Sequence, residues 1–101
     1  MSQLTAIVTG ASEGLGKSFA FELASRDINL VLVALPGTGL QQLESYIQKN
    51  FEVKVMIFET DLTRADNCTA LFQYLTSIQV KADILINNAG IGGAAPFCES
   101  S

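Results

Sequence analysis

At 101 residues, with 49% hydrophobic and 16% charged side chains, the chain has room for at most one domain and enough apolar surface to exclude disorder. The formal net charge is −4 and no stretch gathers Lys or Arg, so no electrostatic footprint for a nucleic acid or an anionic membrane exists. No apolar run approaches the roughly 20 residues of a membrane span, and the start, Met1 to Thr5, lacks the basic segment of a secretory signal. With His absent and only Cys68 and Cys98 present, a zinc site and a disulfide framework are both unexpected, and the compartment suggested is the cytoplasm.

Along the chain the apolar period switches repeatedly. Leu4 to Val8 is a short β-branched run ending at Thr9-Gly10, which predicts a buried strand and a turn. Leu15, Phe19, Ala20, Leu23 and Ala24 then recur at helical spacing. Asn29 to Leu35 is nearly continuous Leu and Val, as in a strand covered on both faces, and Pro36-Gly37-Thr38-Gly39 breaks the chain. Leu40, Leu43, Ile47 and Phe51 mark a second amphipathic helix, and Lys54 to Phe58 a third strand that ends near Thr60-Asp61. A third helix carries Leu71, Phe72, Leu75 and Ile78, with Asp66 as an anion near its N-terminus. Asp83 to Ile86 is a fourth strand closing on Asn87-Asn88-Ala89-Gly90, and the small, Gly-rich tail from Ile91 reads as a loop. The order β-α-β-α-β-α-β, with connections too long for hairpins, predicts an α/β fold: a parallel sheet with helices on both faces.

The first strand runs into Thr9-Gly10-Ala11-Ser12-Glu13-Gly14-Leu15-Gly16, and a helix follows. In that setting Gly10 permits a tight turn, Gly14 lets backbone approach a pyrophosphate, and Gly16 lets the helix pack close to the sheet. The phosphate would meet free N–H groups at the positive end of a helix. The spacing is G-x-x-x-G-x-G, not the commoner G-x-G-x-x-G. Gly16-Lys17-Ser18 imitates the end of a triphosphatase P-loop, but the glycine that motif requires, separated from the Gly-Lys pair by four residues, would be Ala11. On the turn alone, a glycine-rich joint of strand to helix without a ligand remains open.

Thr-Gly-x-x-x-Gly-x-Gly after the first strand and Asn-Asn-Ala-Gly after the fourth together resemble the short-chain dehydrogenase/reductase family, from about Leu4 to Glu99. Asp61-Leu62 at the end of the third strand fits as well. The resemblance implies a Rossmann-type sheet whose strands here run in the order 3-2-1-4. It implies that Gly10, Ser12, Gly14, Leu15 and Gly16 line the adenosine ribose and pyrophosphate, and that Asp61 accepts from the adenine amino group beside Leu62. Asn88, Ala89 and Gly90 would lie along the cofactor's ribose, with Asn87 fixing the central strands. Glu13 and Leu35 hold the two positions where a basic residue often marks an NADP-binding member. No Asp or Glu ends the second strand to bond a ribose 2′-hydroxyl, so the expected cofactor is NADP before NAD. Lys17 is the nearby cation, placed either to reach a 2′-phosphate or to be solvated.

The family's chemistry is hydride transfer between nicotinamide and a carbonyl or alcohol. Its tyrosine acid/base is followed four residues later by a lysine that favours the tyrosinate. Here Tyr46 and Tyr74 are followed at that distance by Asn50 and Ile78, and Tyr46 with Lys49 reads as surface. Pro96-Phe97-x-Glu99 resembles the family's loop before its next long helix. Residues 1–101 are therefore expected to be the amino-terminal half of a dinucleotide-binding domain, stopping before the catalytic segment and inactive alone. The expected partners are a nicotinamide dinucleotide and a carbonyl or alcohol substrate. With an open sheet edge, the chain is also expected to be a homo-oligomer. Over Glu13 to Ala20 the sequence is similar to the branch that reduces fatty 3-ketoacyl groups or steroids. The alternatives are a non-catalytic dinucleotide-binding module and an assembly module that uses the sheet edge.

Overall fold

The computed structural model describes residues 4–11, 14–61 and 64–87. The expected tail loop lies outside them. Strand β1 (Thr5–Thr9) leads to helix α1 (Gly14–Ser25), then β2 (Asn29–Ala34), α2 (Leu40–Asn50), β3 (Val55–Glu59), α3 (Ala65–Ser77) and β4 (Ile84–Asn87). The strands form one sheet in the order β3-β2-β1-β4, and every neighbouring pair is parallel. Both the α/β class and the order implied by the family resemblance are what the structure has. Thr9 pairs with Val33 on one side and Asn87 on the other, so the C-terminal ends of the central strands lie level.

Side chains alternate across the sheet with the two-residue period of a strand. Ala6, Val8, Leu30, Leu32, Ala34 and Val55 join Ala20, Leu23 and Ala24 of α1 and Leu40, Leu43 and Ile47 of α2 in one cluster. Ile7, Val31 and Val33 face the other way, onto Cys68, Leu71 and Leu75 of α3. β2 is thus buried on both faces, which explains its unbroken apolar sequence. Cys68 is disulfide-bonded.

Two apolar stripes differ from expectation. Leu15 is 57% and Phe19 36% exposed, while Gly16, Ala20, Leu23 and Ala24 are buried. Small residues let α1 sit close to the strands, and Leu15 and Phe19 project about 100° away from Gly16 and Ala20. Ile78 leaves the α3 stripe because the helix stops at Ser77. Gln79 follows with φ 62°, its N–H donating to the Thr76 carbonyl at 3.0 Å, and Val80 N–H reaches the Leu75 carbonyl at 2.9 Å. This is a Schellman turn. α1 ends the same way: Asp27 has φ 62° and donates to Ala24 at 3.0 Å, while Ile28 donates to Leu23 at 3.1 Å.

Side chains at the strand starts hold the register. Asn29 Oδ1 accepts Lys54 N–H at 2.8 Å, joining β2 to the lead of β3. Asp83 Oδ2 accepts Thr5 N–H at 3.0 Å, and Asp83 N–H returns to the Thr5 carbonyl at 2.8 Å, joining β4 to β1.

Candidate functional site

In an open parallel sheet, a crevice forms beyond the strand C-termini where successive connections run in opposite directions. Here β1 to β2 to β3 progresses one way, and β4 returns to the far side of β1. The turn after β1 lies at that point. Gly10 adopts φ 63°, the left-handed region that a side chain disfavours, and the chain doubles back into α1. Ala11 is fully buried, and its N–H donates to the Val33 carbonyl at 3.1 Å, tying the turn to β2. Thr9, also buried, sends its hydroxyl to the Ile86 carbonyl at 3.4 Å and ties the end of β1 to β4.

Gly16 and Gly14 have opposite surroundings. A Cβ built on Gly16 would collide with the Gly10 carbonyl oxygen and stand 2.8 Å from its carbonyl carbon and 3.1 Å from Ala11 Cα. Gly16 therefore permits the start of α1 to close against the turn. A Cβ on Gly14 meets nothing within 4 Å. Gly14 is the exposed first residue of α1, and the first N–H groups of that 12-residue helix have no partner within the helix itself. That is the surface an anion needs in order to reach the positive end of a helix. The residues present fit a dinucleotide pyrophosphate.

Leu15, Leu35 and Asp61, the described ones among the remaining site positions, lie at the same end of the sheet. Leu15 is exposed beside Gly14, and Leu35 is 54% exposed just past β2. Asp61 follows β3 and is half-buried. Its carbonyl accepts Asn67 Nδ2–H at 3.0 Å and Arg64 N–H at 3.3 Å, so Asp61 is tied to the start of α3. Ser12, Glu13, Leu62, Asn88, Ala89 and Gly90 lie outside the described residues. Tyr46 is 55% exposed, as a surface reading requires, yet its ring meets Phe21 edge-on with centroids 5.5 Å apart. Among the described residues no group of three or more His, Cys, Asp or Glu could hold a metal, and no helix is long and apolar enough to cross a membrane.

Sequence reasoning passed over Thr9, Ala11 and Asn67. Thr9 and Ala11 are embedded in the motif, but their work is done through contacts with residues 77 and 22 positions away, as the Ile86 and Val33 bonds show. Asn67 carries a readable signal, an amide in the first turn of a helix that follows a strand end.

Comparison with known proteins agrees with this geometry. A family model described as short chain dehydrogenase matches residues 4–101. The very-long-chain 3-oxoacyl-CoA reductase of Scheffersomyces stipitis is 38% identical over 93 residues, covering 90% of this chain and 26% of that protein. The 17-beta-hydroxysteroid dehydrogenase type 3 of Mus musculus is 34% identical over 86 residues, 85% of this chain and 28% of that one. L-sorbose reductase of Gluconobacter frateurii, solved with NADPH and L-sorbose, matches with a TM-score of 0.81 at 31% identity, over 88% of this chain and 34% of that one. The chain thus spans about a quarter of the length of the curated relatives it matches. With the strand order, the glycine turn and the family match in agreement, the chain belongs to the short-chain dehydrogenase family.

Proposed function

We propose that this chain supplies the dinucleotide-binding part of an NADP-dependent oxidoreductase that transfers hydride between nicotinamide and a carbonyl or alcohol. The observation that carries the reading is the pairing of Gly16, closed against Gly10, with Gly14, open at the start of α1. A bound nicotinamide supplies or accepts the hydride. The chain's own part is to hold and orient: Gly10, Gly14, Leu15 and Gly16 cradle the pyrophosphate, and Asp61 stands where adenine is bonded. Ser12, Glu13, Leu35, Leu62, Asn88, Ala89 and Gly90 complete the proposed set. NADP is favoured because Ala34 to Gly39 contains no carboxylate for a ribose 2′-hydroxyl. Relatives solved with NADPH, such as the Sphingobium yanoikuyae short-chain dehydrogenase at 37% identity, support the same choice.

The catalytic groups belong to a further segment in this reading, with 1–101 the amino-terminal half of the domain and inactive alone. It is supported by the chain's quarter share of its relatives and by the lack of any Tyr-x-x-x-Lys within it. The substrate class proposed is a bulky apolar ketone, a long 3-oxoacyl thioester or a steroid, after the names of the relatives. The protein is further proposed to be a cytoplasmic homo-oligomer without nucleic-acid or membrane partners. Fractionation of cells and light scattering of the purified protein test location and assembly.

The decisive assay follows NADPH absorbance with the full-length protein and a long-chain 3-oxoacyl-CoA or a 17-ketosteroid. Substrate-dependent NADPH oxidation is expected. Tight dinucleotide binding with no turnover on any carbonyl tested would favour the second reading, a binding or assembly module. That reading draws on Leu85 of β4, 48% exposed on the α3 side of the sheet.

A further inference from the structure

We propose that Lys17 selects NADP over NAD, its ammonium receiving the 2′-phosphate in the groove between α1 and the turn after β2. The inference rests on the dinucleotide reading above and names the residue that discriminates within it.

Position comes first. If pyrophosphate sits at the start of α1 and adenine beside Asp61 after β3, the ribose between them crosses the end of β2, the strand between β1 and β3. Neighbouring strands are about 4.8 Å apart, so this span is on the order of 10 Å, the reach of an adenosine. The 2′ position then faces the segment from Leu35 to Gly39. A groove of about 300 Å³ opens there, lined by Lys17 and Phe21 of α1, Thr38 and Gly39 of the turn, and Gln42 and Tyr46 of α2.

The charge pattern of the groove is one-sided. Among the described residues, Lys17 is its only charged lining residue, and no described carboxylate lines it from the turn or from α2. Lys17 is exposed and makes no ion pair among the described residues, whereas Arg26, further along α1, is held by Glu22 at 2.8 Å. The position after β2 that would carry a selecting charge is Leu35. Lys17 comes from the facing helix, three residues after Gly14, and so stands about 4.5 Å along the axis from the proposed pyrophosphate contact. A 2′-phosphate gives it a charge-assisted bond, whereas a 2′-hydroxyl gives it no anion.

The opposite wall has a fixed shape. Gly37 and Gly39 have φ 82° and 81°, and Thr38 donates its hydroxyl to the Leu35 carbonyl at 2.7 Å. Thr38 is a positioning residue, because its proton is already committed. Phe21 and Tyr46, edge to face, add an apolar wall that strengthens an ion contact made against it.

The test measures affinities of the full-length protein and its Lys17→Met and Lys17→Arg variants for NADPH, NADH, 2′,5′-ADP and 5′-AMP by calorimetry. Lys17→Met is expected to weaken NADPH and 2′,5′-ADP by about tenfold to a hundredfold and to leave NADH and 5′-AMP within about twofold. Lys17→Arg is expected to retain the preference. Unchanged NADPH affinity in Lys17→Met, an equal loss for NADH, or a wild type that prefers NADH would each overturn the inference and leave the dinucleotide reading intact. A wild type that binds none of the four probes overturns both, and is recognised as such before any variant is made.

Discussion

The two faces of the sheet are built from the same alternating strands but are covered differently. Beneath α1 and α2, Ala6, Val8, Leu30 and Leu32 are at most 1% exposed. On the other face α3 seals Ile7, Val31 and Val33, while Met56, Phe58 and Phe72 are only partly buried and Leu85 is 48% exposed. Ile7 and Leu85 are partners in register on adjacent strands. One is sealed, and the other has no described element above it. A groove of about 450 Å³ lined by Ile7, Phe72, Leu75 and Val80 opens along α3 on this side. The two-residue period decides which way a side chain points, but the helix that arrives above decides whether it is buried.

The largest expected effect breaks the comparison at its covered end. Leu32→Ala should cost about 2–5 kcal/mol, because the site is enclosed on every side and cannot collapse onto the cavity. Leu85→Ala should cost under about 1 kcal/mol, since half of that side chain is already in water. Urea denaturation of both variants reads the difference. Equal losses would mean that a further segment or a second copy covers Leu85, and the two faces would then be alike.

A finer contrast lies within the glycine turn. Gly16→Ala forces a Cβ into the Gly10 carbonyl and should cost about 1–3 kcal/mol, seen as a lower denaturation midpoint. Gly14→Ala adds the same methyl to open space and should leave stability within about 0.5 kcal/mol. It should nevertheless weaken NADPH by about tenfold or more, because the methyl occupies the approach to the helix start. Retained NADPH affinity in Gly14→Ala would remove the pyrophosphate from this turn and take with it the observation behind the proposed function.

Much of this was legible in the sequence because the features are local. Strand runs such as Asn29 to Ala34, the glycine spacing and the α2 stripe each show their pattern within a dozen residues, and the structure has them within about one position. What was not legible depends on distant partners or on geometry without a residue signature. Leu15 and Phe19 look like core until the small face of Gly16, Ala20 and Ala24 is seen to take the sheet. The helix ends at Asp27 and Gln79 carry no glycine, so the usual marker of a left-handed cap is missing. Thr9 and Ala11 act through bonds to Ile86 and Val33, which only the folded sheet brings near.

Those two helix ends supply the smallest effect, one on each face. Asp27 and Gln79 both hold φ 62°, a conformation that costs a side-chain-bearing residue about 1–2 kcal/mol. Glycine removes that cost but gives back part of the gain through its greater freedom in the unfolded chain. For Gln79→Gly the balance should be a gain of about 0.5 kcal/mol, raising the melting temperature by about 2–4 °C in a domain of this size. Asp27→Gly should gain less, since a short polar side chain tolerates the left-handed region better than glutamine does. A rise for Gln79→Gly means that the cap of α3 costs the less covered face stability that can be recovered locally. A fall means that the Gln79 side chain contributes more than its strain removes, and that this face depends on contacts at its helix ends as well as on its apolar layer.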